Sequence, residues 1–411
     1  MYNDFPVHKI REQFPALKRI HNEKTVVYFD GPGGSQVVET AIEAMSNYMR
    51  SGGANLHGQF PTSHETEKII IEAKEALGDL LGVNQREIAF GANATSLTFA
   101  VARALGRNIK AGDEIVVSEI DHRAGVDPWI TMAEDNGAQV SWIKVDPDTL
   151  TLDLSNLDTI INEKTVLVAV ALASNAIGTI NDIESISKRA KEVGAIMAVD
   201  AVHAAPHISI DCNKLGADIL VCSAYKFFGP HIGIIVIREE VFEALVPYKL
   251  MPGPKNIPDK METGTQNHEG IAGIKPAVDF IASLGEGNTR REKLLDSFKK
   301  IEAYENKLAN KLRDNLALIS RVKLYQASAD TRKTPTIAFR IEGISPIEVC
   351  KYVIDNYSVF IADGDFYATT LAQKLGLDED GGFIRAGLAP YNTEEEVDIF
   401  INAIKLLVSK L

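Results

Sequence analysis

Lys226 follows an apolar, strand-sized run, Asp218 to Cys222, and stands just before Phe227-Phe228-Gly229-Pro230, an unusual place for a solvated lysine. Asp200 closes a second such run, Ala195-Ile196-Met197-Ala198-Val199. If both runs are strands of one parallel sheet, their carboxyl ends face a ligand crevice and both side chains reach it. A lysine amine can bind an aldehyde as a Schiff base, and an acid can keep a ring nitrogen protonated as an electron sink. These are the needs of pyridoxal 5′-phosphate (PLP). The turn Gly91-Ala92-Asn93-Ala94-Thr95-Ser96 lies between a strand and a helix, where backbone amides and the Thr95 and Ser96 hydroxyls can cradle a phosphate. Taken singly, an acid opening a loop or a small-residue cap has an ordinary structural explanation. The pairing of Lys226 with Asp200 gives the set its chemical meaning.

Positioning these groups requires a sheet. Ile88 to Phe90, Glu114 to Ser118, Thr165 to Ala173, Ala195 to Val199, Asp218 to Cys222 and Gly233 to Arg238 read as buried strands, alternating with amphipathic helical patterns. That alternation predicts an α/β fold with a mainly parallel sheet. Thr62-Ser63-His64-Glu65 reads as a capping box opening a helix, and Asp182 to Val193 as another helix. A rigid stretch, Met251 to Pro258, marks the exit from this unit. Beyond it come a charged helix from Thr289 to Leu318, strands at Val322 to Tyr325, Thr336 to Ile341 and Ser358 to Ile361, and helices after Ser345 and Thr393. The expected division is an N-terminal segment (1–24) packing with the small domain, a large domain (25–262) and a smaller α+β domain (263–411).

Composition excludes several alternatives. The 411 residues suffice for two domains, and a net charge of −13 without a basic run argues against a nucleic-acid or anionic-membrane surface. No apolar stretch is long enough for a span, and Met1 to Arg19 lacks a secretory pattern. Cys212, Cys222 and Cys350 are widely spaced, so neither a disulfide framework nor a zinc site is expected and a reducing cytoplasm fits. His203 and His207 have helical ligand spacing, but Pro206 interrupts it and no third ligand accompanies them, so no metal is expected.

The motifs Asp121-His122-Arg123-Ala124, Ser174-Asn175-Ala176-Ile177-Gly178-Thr179, Asp200-Ala201-Val202-His203 and Ser223-Ala224-Tyr225-Lys226 occur in the order found in the NifS/SufS-type cysteine desulfurases and class V aminotransferases. Glu262-Thr263-Gly264-Thr265 and the segment from Arg385 to Asp398 extend the resemblance nearly end to end. It implies the PLP-dependent transferase fold type I, with Lys226 carrying PLP, His122 stacked on its ring, Asp200 on its nitrogen, and Asn175 near its phenolic oxygen or the substrate. Ala94, Thr95, Ser223 and Tyr225 would surround the phosphate. Thr265 would reach the phosphate of a neighbouring subunit in a homodimer with shared sites, and Arg385 would clamp the substrate carboxylate. Asp30 to Ser35 and the region of His57 resemble parts that line the substrate entrance.

The sequence also departs from that family. Where desulfurases carry the persulfide cysteine, Gly364-Asp365-Phe366-Tyr367-Ala368 presents Tyr367, and a phenol cannot hold sulfane sulfur as a thiolate does. His203 replaces a glutamine, Tyr225 a histidine, and Ala94 a threonine. The resemblance then leaves α,β-elimination from a carbon–sulfur amino acid ahead of transamination and epimerisation. Transamination of a dicarboxylate would call on a second cation, for which Arg123 is the candidate. A catalytically silent, desulfurase-like partner subunit is the remaining alternative.

Overall fold

The structure, a computed structural model, describes residues 5–411. Among these, seven strands form the main sheet: β1 (Ile88–Gly91), β2 (Glu114–Ser118), β3 (Gln139–Ile143), β4 (Thr165–Ala171), β5 (Ile196–Asp200), β6 (Ile219–Ser223) and β7 (Gly233–Ile237). Their order is β1-β7-β6-β5-β4-β2-β3. Strands β6, β5, β4, β2 and β3 run parallel, and β7 is antiparallel to both of its neighbours. Strands β6 and β7 are buried along their whole length, which is why they read as unbroken apolar runs rather than alternating ones. β3 went unnoticed in the sequence because its burial is partial and its pattern, Gln139-Val140-Ser141-Trp142-Ile143, is that of an edge.

Helices cover the sheet on both faces. They include α1 (Glu39–Arg50), α2 (Pro61–Leu81), α3 (Ala94–Gly106), α4 (Asp127–Asn136) and α5 (Ile183–Glu192). The expected capping box at Thr62 is not formed. Helix α2 starts two residues earlier, with Pro61 at its first position, where a missing N–H costs nothing, and Thr66 Oγ1 donates to the Thr62 carbonyl inside the helix. Asp182 does cap α5, accepting from the Ser185 N–H at 3.1 Å.

After α6 (Ile274–Ser283) and the long α7 (Arg290–Ala317), a four-stranded antiparallel sheet forms from β8 (Val322–Tyr325), β9 (Thr336–Ile341), β10 (Ala362–Gly364) and β11 (Phe383–Gly387), in the order β8-β9-β11-β10. Helices α8 (Pro346–Tyr357) and α9 (Glu394–Val408) pack on it. The strand expected at Ser358 to Ile361 is only Val359–Phe360, and it pairs in parallel with Val27–Tyr28 outside that sheet. The apolar clusters part within α7: Leu294, Phe298 and Ile301 join the core beside the large sheet, and Leu308, Leu312 and Leu316 the core of the small one. We therefore propose that the large unit runs past residue 262 into α7. On that division the N-terminal segment, with its helix Val7–Glu12, touches both units: Ile10 and Phe14 join the large core while Arg11 pairs with Glu396 at 2.7 Å.

Candidate active site

The carboxyl ends of β4, β5 and β6 open into a cavity of about 340 Å³. Lys226 reaches it from the short 3₁₀ turn Ala224–Lys226 that follows β6. Its Nζ donates to the Pro32 carbonyl and lies 4.7 Å from the centre of the Tyr225 ring. Burial, then the Arg385 charge, pushes the amine down to about 7, with Asp30 and Asp200 pulling the other way. Asp200, the last residue of β5, accepts from the Val202 N–H at 2.8 Å. Burial raises its carboxyl to about 6 against that hydrogen bond and the Lys226 charge. An acid so reluctantly ionised gains most from a cation placed beside it. Behind it, fully buried Asp121 accepts from Ser118 Oγ at 2.5 Å and the Ala171 N–H at 2.8 Å; burial holds it well above the usual carboxylate range.

One wall is aromatic and cationic. His122 accepts the Ala124 N–H on Nδ1 at 3.0 Å, so the neutral ring carries its proton on Nε2. Burial, helped by Lys226 and Arg385, pushes its pKa down to about 4. The Tyr367 ring lies 5.3 Å from the His122 ring. Arg385, on β11, is buried; its Nη1 donates to the Asn175 carbonyl at 3.0 Å, Nη2 makes a long contact of 3.4 Å with Asp30, and its Cζ sits 3.6 Å from the centre of the Phe366 ring. Asn175 Nδ2 donates to the Phe366 carbonyl at 2.8 Å.

The opposite end is polar and neutral. Ala94 and Thr95 start α3, where Asn93 Oδ1 accepts the Ser96 N–H at 2.8 Å, and both line the cavity with Ser223 and Tyr225. Gly233 of β7 must be glycine here, since a Cβ would meet the Asn93 backbone at 2.4 Å. The Tyr225 ring stacks on His231 at 4.6 Å. His203 also lines the cavity, but its Nε2 is already taken, 3.0 Å from both Thr334 and Thr336 hydroxyls.

Ser96, in the first turn of α3, is not among the residues lining the cavity, and three further expected site residues lie elsewhere. Arg123 is engaged by Asp127 and by Thr370 Oγ1, so its guanidinium does not line the cavity. His57 and Thr265 share a second, separate cavity of about 370 Å³ with Lys249, Leu250 and Gln266. Among the described residues no group of three or more His, Cys, Asp or Glu stands together to hold a metal, and no helix is long and apolar enough to cross a membrane.

Sequence reasoning reached Pro32 and Asn93 only as members of the segments Asp30 to Ser35 and Gly91 to Ser96, and missed Phe366 as part of the site. Asn93, three residues before Ser96 at a strand-to-helix turn, carried a readable capping signal. Phe366 carried none, because its place depends on a backbone φ of +55° and on an arginine 19 positions further on.

A lysine and an acid at the ends of adjacent parallel strands, a helix N-terminus opposite and a buried arginine define an α/β enzyme built around an aldehyde cofactor. Two buried atoms, Asn175 Oδ1 and Arg385 Nε, have no protein partner, and both belong to residues of this cavity, as a site made for a polar ligand requires. The family model for class-V aminotransferases matches residues 27–400, and the chain belongs to that family. Among curated relatives, an aminotransferase-like protein of Gibberella zeae is 31% identical over 99% of both chains. A cysteine desulfurase of Salmonella agona is 32% identical over 96% of both. Among solved structures, a cysteine desulfurase of Thermococcus onnurineus superposes with a TM-score of 0.88 at 29% identity, covering 98% of both chains. The cysteine desulfurase CsdA of Escherichia coli gives 0.86 at 25% identity, covering 100% of both. The protein is accordingly a PLP-dependent enzyme with the fold of these desulfurases.

Proposed function

We propose that this enzyme cleaves a carbon–sulfur bond of an amino acid such as cysteine or cystine by α,β-elimination, without a cysteine persulfide. The carrying observation is the loop from Gly364 to Ala368, which brings Tyr367 rather than a thiol to the cavity. Cys212, Cys222 and Cys350 are buried outside the cavity lining, and burial pushes all three thiols up, Cys212 to about 12, which leaves them protonated and poorly nucleophilic. Elimination needs no second nucleophile.

When bound, PLP supplies an electron sink for the bonds at the substrate's α-carbon. Lys226 would carry it, Asp200 would face its ring nitrogen, His122 would cover its ring, and Thr95, Ser223 and Tyr225, with the amides at Ala94, would hold its phosphate. His203 and Asn175 would stand on the phenolic-oxygen side. Arg385 would hold the substrate carboxylate with Nε and Nη2, the edge not bonded to Asn175. Lys226 Nζ, its pKa lowered to about 7, is suited to take the Cα proton. The Cβ–S bond then breaks with its electron pair leaving on sulfur, and hydrolysis of the remaining fragment gives pyruvate and ammonium. A second copy of the chain would bring His57 and Thr265 to this site, so we propose a homodimer, and a reducing cytoplasm for its free cysteines. Engagement of Arg123 by Asp127 and Thr370 speaks against a dicarboxylate transaminase, which needs a free second cation.

The test is product analysis of the holoenzyme offered cysteine, cystine and S-substituted cysteines. Pyruvate and a sulfur product in equal amounts support elimination. Alanine plus sulfane sulfur, freed as sulfide only when a thiol reductant is added, would assign a desulfurase, a keto acid without sulfur release a transaminase, an inverted amino acid an epimerase, and PLP bound without turnover a silent subunit.

A further inference from the structure

We propose that Phe366 is the positioning residue of the carboxylate clamp, coupling occupation of Arg385 to the loop that carries Tyr367. The inference rests on the reading of Arg385 as the group that binds the substrate carboxylate. Three contacts close a ring: the Arg385 guanidinium lies 3.6 Å from the centre of the Phe366 ring, Asn175 Nδ2 holds the Phe366 carbonyl at 2.8 Å, and the Asn175 carbonyl takes Arg385 Nη1 at 3.0 Å. One face and one edge of the guanidinium are thereby fixed. The other edge has a buried Nε with no partner and an Nη2 with only the 3.4 Å contact to Asp30, an open fork of the shape a carboxylate fills with two hydrogen bonds.

The loop adopts an uncommon backbone to deliver that ring. Phe366 and Tyr367 are consecutive non-glycine residues at φ +55° and +57°, a region that bulky side chains seldom occupy. Three hydrogen bonds restrain them: Asn175 Nδ2 donates to the Phe366 carbonyl, the Arg123 N–H donates to the Tyr367 carbonyl at 2.8 Å, and Asp365 accepts the Tyr367 N–H at 2.9 Å. A carboxylate that fixes the guanidinium therefore also fixes Phe366, and with it Tyr367 beside His122. Without a planar face at 366, the fork loses its orientation and the loop its report of the ligand.

The probe is propionate, which has a carboxylate and no amine to react, with propionamide as its neutral counterpart. Calorimetry on the wild-type holoenzyme, Phe366→Tyr, Phe366→Leu, Phe366→Met and Arg385→Lys gives affinities, and hydrogen exchange follows residues 364–368. Wild type and Phe366→Tyr are expected to favour propionate over propionamide and to slow exchange in the loop when it binds. Phe366→Leu and Phe366→Met should bind propionate about tenfold more weakly, the scale of a desolvated cation–π contact, and lose the slowing. They should also raise KM for the amino acid more than they lower kcat. Unchanged affinity and unchanged loop protection in both would overturn the role of Phe366 while leaving the clamp intact. Propionate binding that is indifferent to Arg385→Lys would instead remove the clamp, and the coupling with it.

Discussion

The chain builds two cavities of nearly equal size in opposite ways. The one at Lys226, about 340 Å³, is floored by strand ends and holds a buried amine, carboxyl, imidazole and guanidinium whose ionisation burial opposes. The one at His57 and Thr265, about 370 Å³, is walled mostly by loops, and beside it Leu250 is 70% and Met251 92% exposed. The first spends conformational freedom on chemistry and is nearly complete within one chain. The second has an apolar rim facing outward, the form of a surface that a second copy would cover. On the proposed homodimer, the exposure around the second cavity marks the part of the site that the other copy would complete.

The sharpest break in that contrast is Lys226→Ala. It should remove the visible absorption of the lysine-bound cofactor and lower turnover by at least about a thousandfold, since nucleophile and base are lost together. An absorption spectrum and one assay decide it; retained absorption would move the reacting amine to another lysine.

The next largest effect belongs to the outward rim. Leu250→Asp with Met251→Asp places charge where the proposed partner packs. Sedimentation should show monomers, and activity should fall by about five- to a hundredfold because Thr265 and His57 no longer reach a neighbour's site, two hydrogen bonds worth roughly 0.5–1.5 kcal/mol each. A variant that remains fully active as a monomer would make the second cavity a plain surface feature.

How much of this was legible in the sequence follows from the same contrast. Lys226 and Asp200 were readable because each ends an apolar run, and in a parallel sheet a run's end fixes where the next side chain points. Five of the strands of the parallel-sheet unit and β7 could be found in this way only where burial is nearly continuous, so β3, half exposed at its edge, escaped. β10 and β11 escaped for another reason: they are short or lie in a stretch read for its motif rather than for its pattern. The N-terminus of α2 was misplaced because Thr62 and Glu65 fit a capping box, whereas Pro61 set the helix start. Arg123 was named for its place beside His122, and spacing could not show that Asp127, one helical turn on, would claim its guanidinium. Phe366 depended on a left-handed backbone that no pattern announces.

A smaller effect concerns the amine itself. In the apoenzyme Lys226 titrates near 7, whereas in the unfolded chain it keeps the ordinary value of 10.5. Between those values the unfolded chain binds the proton and the folded chain does not, so this residue's contribution to stability rises as pH rises across the window and is least favourable below about 7. Lys226→Met should therefore stabilise the apoenzyme more at pH near 6 than at pH near 10, as read from urea unfolding. The rate of PLP capture by wild type should climb through pH of about 7 in parallel. Capture that climbs only near 10 would mean that the amine is not held in its buried position before the cofactor arrives.

The smallest effect discriminates best between the two cavities. Thr95→Val and Thr265→Val each remove one hydroxyl proposed to meet a phosphate, and each should weaken PLP retention by about three- to tenfold, the net worth of a single hydrogen bond of roughly 0.5–1.5 kcal/mol. They differ in what they depend on. Thr95 starts α3 within its own chain's cavity, so its loss should be felt equally in the dimer and in the variant carrying Asp at 250 and 251. Thr265 lies in the outward cavity, so its loss should be felt in the dimer and vanish in the monomer, a non-additivity that dialysis against PLP-free buffer measures as a double-mutant cycle. Equal losses in both backgrounds would place Thr265 in the service of its own chain, and the second cavity would need another explanation.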